Sequence, residues 1–97
     1  MHGISTKKVI GGKLLRIKTL FNTKFTSVQI TGDFFLHPEE KIMEIEKSLV
    51  GLSTAEKKES ITQKLQNFIQ QNQIELVGIS PEDIAETLLE TLKGGSE

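Results

Sequence analysis

The 97-residue sequence contains no cysteine, no tryptophan and no tyrosine. Without cysteine, the chain can form no disulfide, thiolate metal site, thiol nucleophile or persulfide carrier. Its apolar runs are far shorter than the ~20 residues that cross a bilayer, and its N-terminal segment has no apolar signal core. We therefore expect a cytoplasmic protein that does not enter a membrane.

Acidic residues are missing from residues 1–32, although the net charge of the whole chain is only −1. Residues 33–97 hold all thirteen acids. The basic residues of the N-terminal part are Lys7, Lys8, Lys13, Arg16, Lys18 and Lys24. A basic segment of this kind attracts phosphate or an acidic protein surface. Alternatively, the lysines only protect an exposed sheet edge from pairing with other chains.

Residues 13–21 and 25–31 alternate apolar and polar side chains, which predicts two half-buried strands. The polar connection over residues 22–24 has the length of a hairpin loop. In the first strand the alternation places basic side chains on the outer face, and Leu14 and Leu20 depart from it. The two stretches together predict a β-hairpin.

Three helices are predicted after the hairpin, over residues 38–49, 53–72 and 81–93. Pro38 suits the first helical position of the first helix. Ser53 and Glu56 have the spacing of a capping box at the start of the second. Ser80 and Asp83 flank a proline at the start of the third, which has the clearest N-terminal signals in the chain.

Two shorter segments complete the expected fold. Residues 8–10 suit a short edge strand, and residues 74–78 suit either a third strand on the hairpin or a packed connector. A small antiparallel sheet covered by about three helices is an α+β architecture. We expect one domain over residues 1–97 with an ordered core of about 8–93.

The segment between hairpin and first helix is unusual because it is apolar. Gly32 and Asp33 suit the end of a strand. They are followed by Phe34 and Phe35, which as neighbours in an extended segment point to opposite sides, so that one fills the core. The other either faces outward as a partner contact or folds back onto the first helix. His37 is interpreted as structural, although it could also face a ligand.

No catalytic residue and no metal ligand is predicted. The sequence Gly11-Gly12-Lys13 lacks the upstream glycine and the following serine or threonine of a phosphate-binding loop. The histidines His2 and His37 lack the spacing of a metal site. The paired acids Glu39-Glu40 and Glu82-Asp83 lie at predicted helix starts, where the helix dipole accounts for them.

Three motifs resemble the small C-terminal domain of lipoate–protein ligases, and the resemblance extends over most of residues 8–92. They are Gly11-Gly12-Lys13-Leu14-Leu15-Arg16-Ile17, the run from Ile30 to Glu40 that begins Ile30-Thr31-Gly32-Asp33, and the run from Glu75 to Ala85. The resemblance implies a fold similar to the sulfur-acceptor and iron–sulfur-scaffold proteins. Because the chain begins at Met1 with nothing upstream, it is expected to be a separate accessory subunit.

In that family a large catalytic domain binds lipoate and ATP with Mg²⁺, forms lipoyl-AMP, and transfers the lipoyl group to a lysine of an acceptor domain. The resemblance implies that the small domain is needed for adenylation. The expected partner is thus a catalytic large subunit in a heterodimer, and lipoyl-acceptor domains are indirect partners. No cofactor is expected on this chain alone. The candidate partner-facing residues are Gly11, Gly12, Lys13, Thr31, Gly32, Asp33, Phe34, Phe35 and His37.

Two other functions are weighed from the residues. A protein-interaction adaptor would use the outward phenylalanine and the amphipathic helices. An RNA-binding module would use the basic hairpin, but the few aromatic residues and the slightly acidic net charge argue against it. No nucleic-acid partner is therefore expected.

Overall fold

The computed structural model describes residues 1–9, 11 and 13–93 of the chain. In chain order its elements are β1 (His2–Lys8), β2 (Leu14–Phe21), β3 (Phe25–Gly32), β4 (Phe35–His37), α1 (Lys41–Leu49), α2 (Lys58–Gln71), β5 (Glu75–Val77) and α3 (Pro81–Glu90). Helices and two small antiparallel sheets confirm the predicted α+β class. No helix within the described residues is long and apolar enough to cross a membrane.

The main sheet is antiparallel and has the strand order β1-β2-β3. Strands β2 and β3 form the predicted hairpin, in which Leu15 lies opposite Gly32 and Phe21 lies opposite Phe25. Along β2 exposed and buried residues alternate as far as the half-buried Phe21, because successive side chains of a strand point to opposite faces. The prediction of a half-buried hairpin is confirmed.

The edge strand of this sheet lies earlier in the chain than the sequence predicts. Instead of residues 8–10, it occupies His2–Lys8, and Ile10 lies outside the described residues. One inward position of this strand is Gly3. An added Cβ there would overlap the carbonyl oxygen of Thr91, the residue after α3, so this position has no room for an apolar side chain. Close approach of the backbones replaces the apolar pattern that marks most strands.

Residues 74–78 do not add a third strand to the hairpin, which was one of the two alternatives predicted for them. Instead, β5 pairs with β4 in a separate two-stranded ribbon, with Phe35 opposite Val77. Leu36 is buried and Leu76 is partly buried on the inner side of the ribbon. A three-residue strand offers only one inward residue, so no alternation could reveal β4 in the sequence.

Helix α1 begins at Lys41 rather than at Pro38, which corrects the predicted start. The residues between form a turn: the Lys41 N–H donates to the Pro38 carbonyl at 3.0 Å, and the Ile42 N–H donates to the Glu39 carbonyl at 3.2 Å. Glu40 is the N-cap residue and its side chain caps no backbone N–H. The proline and the acids therefore shape the turn ahead of the helix.

Helix α2 begins at Lys58, so the capping box predicted at Ser53 is wrong. Ser53 forms a β-bridge with Lys24 in the hairpin connection, and its hydroxyl accepts the Ala55 N–H at 3.0 Å. The N-cap residue is Lys57, whose side chain makes no capping hydrogen bond. Pairing with the hairpin holds Ser53 outside the helix that its sequence context favours.

Helix α3 has the start that the sequence predicts. Ser80 is the N-cap and Pro81 follows it. The Asp83 N–H donates to the Ser80 hydroxyl at 3.2 Å, and the Ser80 N–H donates to the Asp83 carboxylate at 2.9 Å. The helix ends at Glu90, three residues before the predicted end at residue 93.

Asp83 also joins α3 to β1. The Lys7 ammonium lies 3.3 Å from its carboxylate and pairs with Glu86 as well. Burial raises the pKa of the Asp83 carboxyl, but hydrogen bonds from Ser80 and Lys7 lower it by more, so the pKa lies below its ordinary value. A carboxyl with a lowered folded-state pKa stabilises the fold above about pH 5 and loses that contribution as the pH falls through the folded-state pKa.

We expect Asp83→Asn to lower the free energy of unfolding near neutral pH by about 1–2 kcal/mol, because the cap and the ion pair are both weakened. The same change should flatten the loss of stability between about pH 5 and pH 2. Urea unfolding across this pH range measures both effects. The control Asp33→Asn removes an exposed carboxylate outside this cluster, and it should change the free energy of unfolding at neutral pH by no more than about 0.5 kcal/mol. Full acid dependence in Asp83→Asn would contradict the assignment.

The helices cover one face of the main sheet. Helix α3 packs on β1 and β2, α1 packs on β3, and α2 packs on α3. Between sheet and helices, the Thr19 hydroxyl donates to the Thr91 hydroxyl at 3.0 Å. The core includes Leu15, Ile17, Phe25, Val28, Ile30, Leu36, Ile45, Leu49, Ile61, Leu65, Ile74, Ile79, Ile84, Ala85 and Leu88. On the other face of the main sheet, most outward side chains are exposed.

Candidate interaction surface at the end of the sheet

The candidate surface lies where β2 begins and β3 ends. Gly32 has a φ of 154°, and an added Cβ would overlap the carbonyl oxygen of Leu14. The same oxygen accepts the Asp33 N–H at 2.9 Å. Only a residue without a side chain lets the two backbones approach so closely. The predicted end of the strand at Gly32-Asp33 is therefore confirmed.

Lys13 is held beside this strand end. Its carbonyl accepts the Val9 N–H at 2.8 Å across the turn that contains Gly11, whose φ is 96°. Its Nζ lies 5.6 Å from the centre of the Phe35 ring, within the range of a cation–π contact. Lys13 is thus held by a backbone hydrogen bond and by a contact of its ammonium group with an aromatic ring. Gly12 lies outside the described residues.

Phe34 and Phe35 point in opposite directions, as predicted. Phe34 is half-buried and packs against the core, whereas Phe35 is 68% exposed. Across the ribbon from Phe35 lies Val77, which is 50% exposed. An exposed aromatic and valine pair with a lysine above the ring forms a small apolar surface with one positive charge. We call Lys13, Asp33, Phe35 and Val77 the edge surface.

A surface groove of about 470 Å³ runs beside the edge surface, between the end of β3, β4 and the start of α1. Phe34, Phe35 and Leu36 line its apolar part. Glu39 contributes the acidic side chain of the lining. The groove is wide enough for an inserted side chain, and its mixed lining suits contact with a protein segment.

The remaining candidates lie around this surface rather than within it. Thr31 faces outward on β3, directly opposite Arg16 of β2. His37 is exposed on β4 opposite Glu75 and does not cap α1. In the described part of the chain, no group of three or more His, Asp and Glu side chains could hold a metal ion.

One residue of the edge surface, Val77, and its neighbour Gly78 were not predicted from the sequence. Val77 supplies the partner of Phe35, and Gly78 lies beside the Lys13 stem: an added Cβ at Gly78 would make ordinary contacts, 3.4 Å from Lys13 Cγ and 3.6 Å from Phe34 Cβ. Gly78 also has a φ of 100°. The signal in the sequence was the glycine directly after a short apolar run, which marks a turn with positive φ.

The family described as "Bacterial lipoate protein ligase C-terminus" matches residues 6–88. The chain belongs to this lipoate–protein ligase family. The resemblance inferred from the three motifs is thereby confirmed, and the match includes all three segments that form the edge surface.

A solved structure is also similar to this lipoate–protein ligase domain. It comes from a study of an archaeal lipoylation system, a bi-partite lipoate protein ligase and its E2 lipoyl domain from Thermoplasma acidophilum. The two chains are 30% identical with a TM-score of 0.69, and the alignment covers 91% of this chain and 97% of the other. The comparison with curated protein sequences gives no match.

Proposed function

We propose that this chain is the accessory subunit of a two-chain lipoate–protein ligase, in which it completes the site where a separate catalytic subunit activates lipoate with ATP. The observation that carries the proposal is the similarity in fold and sequence to a chain of the bi-partite system. The two chains are 30% identical with a TM-score of 0.69, and the alignment covers 97% of the chain from that system.

In this proposal ATP, Mg²⁺ and lipoate bind to the catalytic subunit, which forms lipoyl-AMP before the lipoyl group passes to a lysine of an acceptor protein. The present chain supplies no complete active site and binds no cofactor alone. Its part is to close over the catalytic site in the cytoplasm as one half of a heterodimer. Closure excludes water, which strengthens every charge interaction inside the site.

The edge surface suits this role for a physical reason. Phe35 and Val77 are exposed apolar side chains that a partner would cover. Covering them would also remove water from around the Lys13 ammonium, which lies over the Phe35 ring. A lysine held in place before the reaction stabilises negative charge on phosphate oxygens with little reorganisation. Lys13 is therefore the residue of this chain that we place nearest the ATP phosphates.

Reconstitution tests the proposal directly. The purified catalytic subunit is assayed for lipoate-dependent formation of lipoyl-AMP and pyrophosphate, with and without this chain. We expect product only when both chains are present. Full adenylation by the catalytic subunit alone would show that the chain has a different function, of which a protein-interaction adaptor is one.

Variants of the edge surface test its placement. We expect Lys13→Ala, assayed at a saturating concentration of this chain, to lower the rate of adenylation at least about tenfold, because one positioned cation is lost from the site. Asp33→Ala should also lower the rate. The control Lys47→Ala removes an exposed lysine of α1 and should leave the rate unchanged. Wild-type rates in both edge variants, with binding to the catalytic subunit intact, would refute the placement.

A further inference from the structure

The outward face of β1, β2 and β3, which we call the open sheet face, has no covering element among the described residues. Its central strand contributes Leu14, Arg16, Lys18 and Leu20. Leu14 is 41% exposed and Leu20 is 52% exposed. The water-facing side of an antiparallel sheet normally carries polar residues. The two leucines that interrupt the alternation in the sequence thus lie at both ends of an uncovered face.

The charge on the open sheet face has one sign. Lys8, Arg16 and Lys18 project from it, and none of them forms an ion pair with any described residue. The Arg16 Nε–H donates to the Thr6 hydroxyl at 3.2 Å, which holds the guanidinium on the face. By contrast, Lys7 points to the other face and is paired with Asp83 and Glu86. The unpaired cations call for a partner with carboxylates.

The shape and composition of the face favour a protein over a nucleic acid. A depression of about 420 Å³ lies at the Leu20 end, and Ile4, Lys18, Leu20 and Gln29 contribute to its lining. Single-stranded nucleic acids are usually held by aromatic side chains on which bases stack. No phenylalanine occupies an outward position on these strands, since Phe21 and Phe25 both pack with the core. Leucines surrounded by cations match an acidic protein surface with an apolar centre.

The area of the face indicates which partner covers it. Six residue steps of about 3.3 Å make β2 roughly 20 Å long between its two leucines, and three strands about 4.8 Å apart make the face some 10–15 Å wide. Its projected area is then roughly 300 Å², whereas a stable interface buries about 800 Å² on each partner. Leu14 adjoins Lys13 and bonds to Asp33, so the face continues into the edge surface. One partner that covers both surfaces therefore buries more area than the open sheet face alone provides.

We propose that the open sheet face binds an acidic surface of the same catalytic subunit whose active site the edge surface completes. This inference rests on the proposed function and assigns different roles to two neighbouring surfaces: the open sheet face binds the partner, and the edge surface acts at the active site. Arg16, Lys18 and the two leucines supply affinity, and Lys13 acts on the reaction. The two surfaces can therefore be separated by measuring binding and turnover independently.

The test is the double variant Arg16→Glu/Lys18→Glu, whose affinity for the purified catalytic subunit is measured by calorimetry at about 0.1 M salt. We expect the dissociation constant to rise at least about tenfold, and the difference from the wild type to shrink at higher salt because screening weakens exposed charge pairs. Arg16→Gln/Lys18→Gln should show a smaller loss of affinity, and thermal unfolding confirms that both variants are folded.

The control Lys47→Glu/Lys57→Glu makes the same change in net charge on the helical side and should bind like the wild type. If the wild-type chain neither binds nor stimulates the catalytic subunit, the proposed function and this inference both fail. If the wild type does both and Arg16→Glu/Lys18→Glu binds equally well, the inference alone fails. Salt-sensitive binding of a labelled poly-U oligonucleotide, lost in this variant while binding to the catalytic subunit is unchanged, would assign the face to RNA instead.

Discussion

Phe25→Ala is expected to lower the free energy of unfolding by about 3–5 kcal/mol, which is a large part of the roughly 5–10 kcal/mol available to a domain of this size. Phe25 is fully buried, and its ring meets that of Phe21 edge to face with the centroids 6.2 Å apart. Its backbone also joins hairpin to helices, since its N–H donates to the Leu52 carbonyl at 2.9 Å and its carbonyl accepts the Gly51 N–H at 2.8 Å. A cavity at this position would lie between sheet and helices.

Thermal and urea unfolding measure the effect, and the melting temperature should fall by roughly 15–30 °C. The matched control is Phe35→Ala, the same chemical change at an exposed position, which should alter stability by no more than about 0.5 kcal/mol. Phe25→Leu keeps most of the buried volume and should cost about 1.5 kcal/mol or less, so a folded variant remains for comparison. A loss below about 1 kcal/mol for Phe25→Ala would contradict the central position of this ring.

Gly32→Ala is expected to lower the free energy of unfolding by roughly 3 kcal/mol. The new Cβ would overlap a backbone atom, and the alanine would have to adopt a strained backbone conformation. The φ of Gly32 is 154°, and the atom in the way is the Leu14 carbonyl oxygen, which accepts the Asp33 N–H. Relief of the overlap must separate the start of β2 from the end of β3. The variant should therefore lose stability and also disturb the edge surface.

Gly51→Ala separates the two causes of this effect. Gly51 has a φ of 95°, but no atom lies within 4 Å of an added Cβ, so only the conformational cost of about 1–2 kcal/mol applies. Chemical denaturation of the two variants side by side gives the comparison. Equal losses of stability would mean that the overlap with Leu14 relaxes freely. A larger loss in Gly32→Ala would show that the strand end is rigid.

Those parts of the fold that depend on neighbouring residues could be predicted from the sequence. Alternation along β2 and β3 gave the hairpin, Gly32-Asp33 gave its end, and Ser80 with Asp83 gave the start of α3. In each case the deciding interaction lies within a few residues or within one short loop. Local signals are reliable where no distant segment competes with them.

Apart from the start of α1, which a local turn moves to Lys41, the parts that were predicted wrongly depend on distant segments. Ser53 has the context of a helix start, but it pairs with Lys24 of the hairpin. β4 and β5 are too short to show a pattern, and each becomes a strand only because the other is present. The helix-facing side of β1 carries Gly3 in place of an apolar residue, and its fit is visible only against Thr91.

The candidate surface was predicted in part for the same reason. The sequence predicted that Phe34 and Phe35 face opposite ways, but it did not predict which one faces outward. That choice is fixed by β5, which brings Val77 opposite Phe35 and places Gly78 against the Lys13 stem. The basic character of the hairpin was evident from the start. Only the structure shows that Lys7 forms ion pairs on the helix-facing side, whereas the basic residues of the open sheet face form none with the described residues.

The contacts that join β1 and β2 to α3 and its C-cap residue also determine the order in which the fold is completed. Thr19 bonds to Thr91 across 72 positions of the chain, and Lys7 bonds to Glu86 across 79. The hairpin can form early in synthesis, because its partners are adjacent in the chain. The helix-facing side of β1 stays uncovered until α3 has been synthesised. Completion of the fold therefore waits for α3, and the uncovered side of the strand is open to aggregation until then.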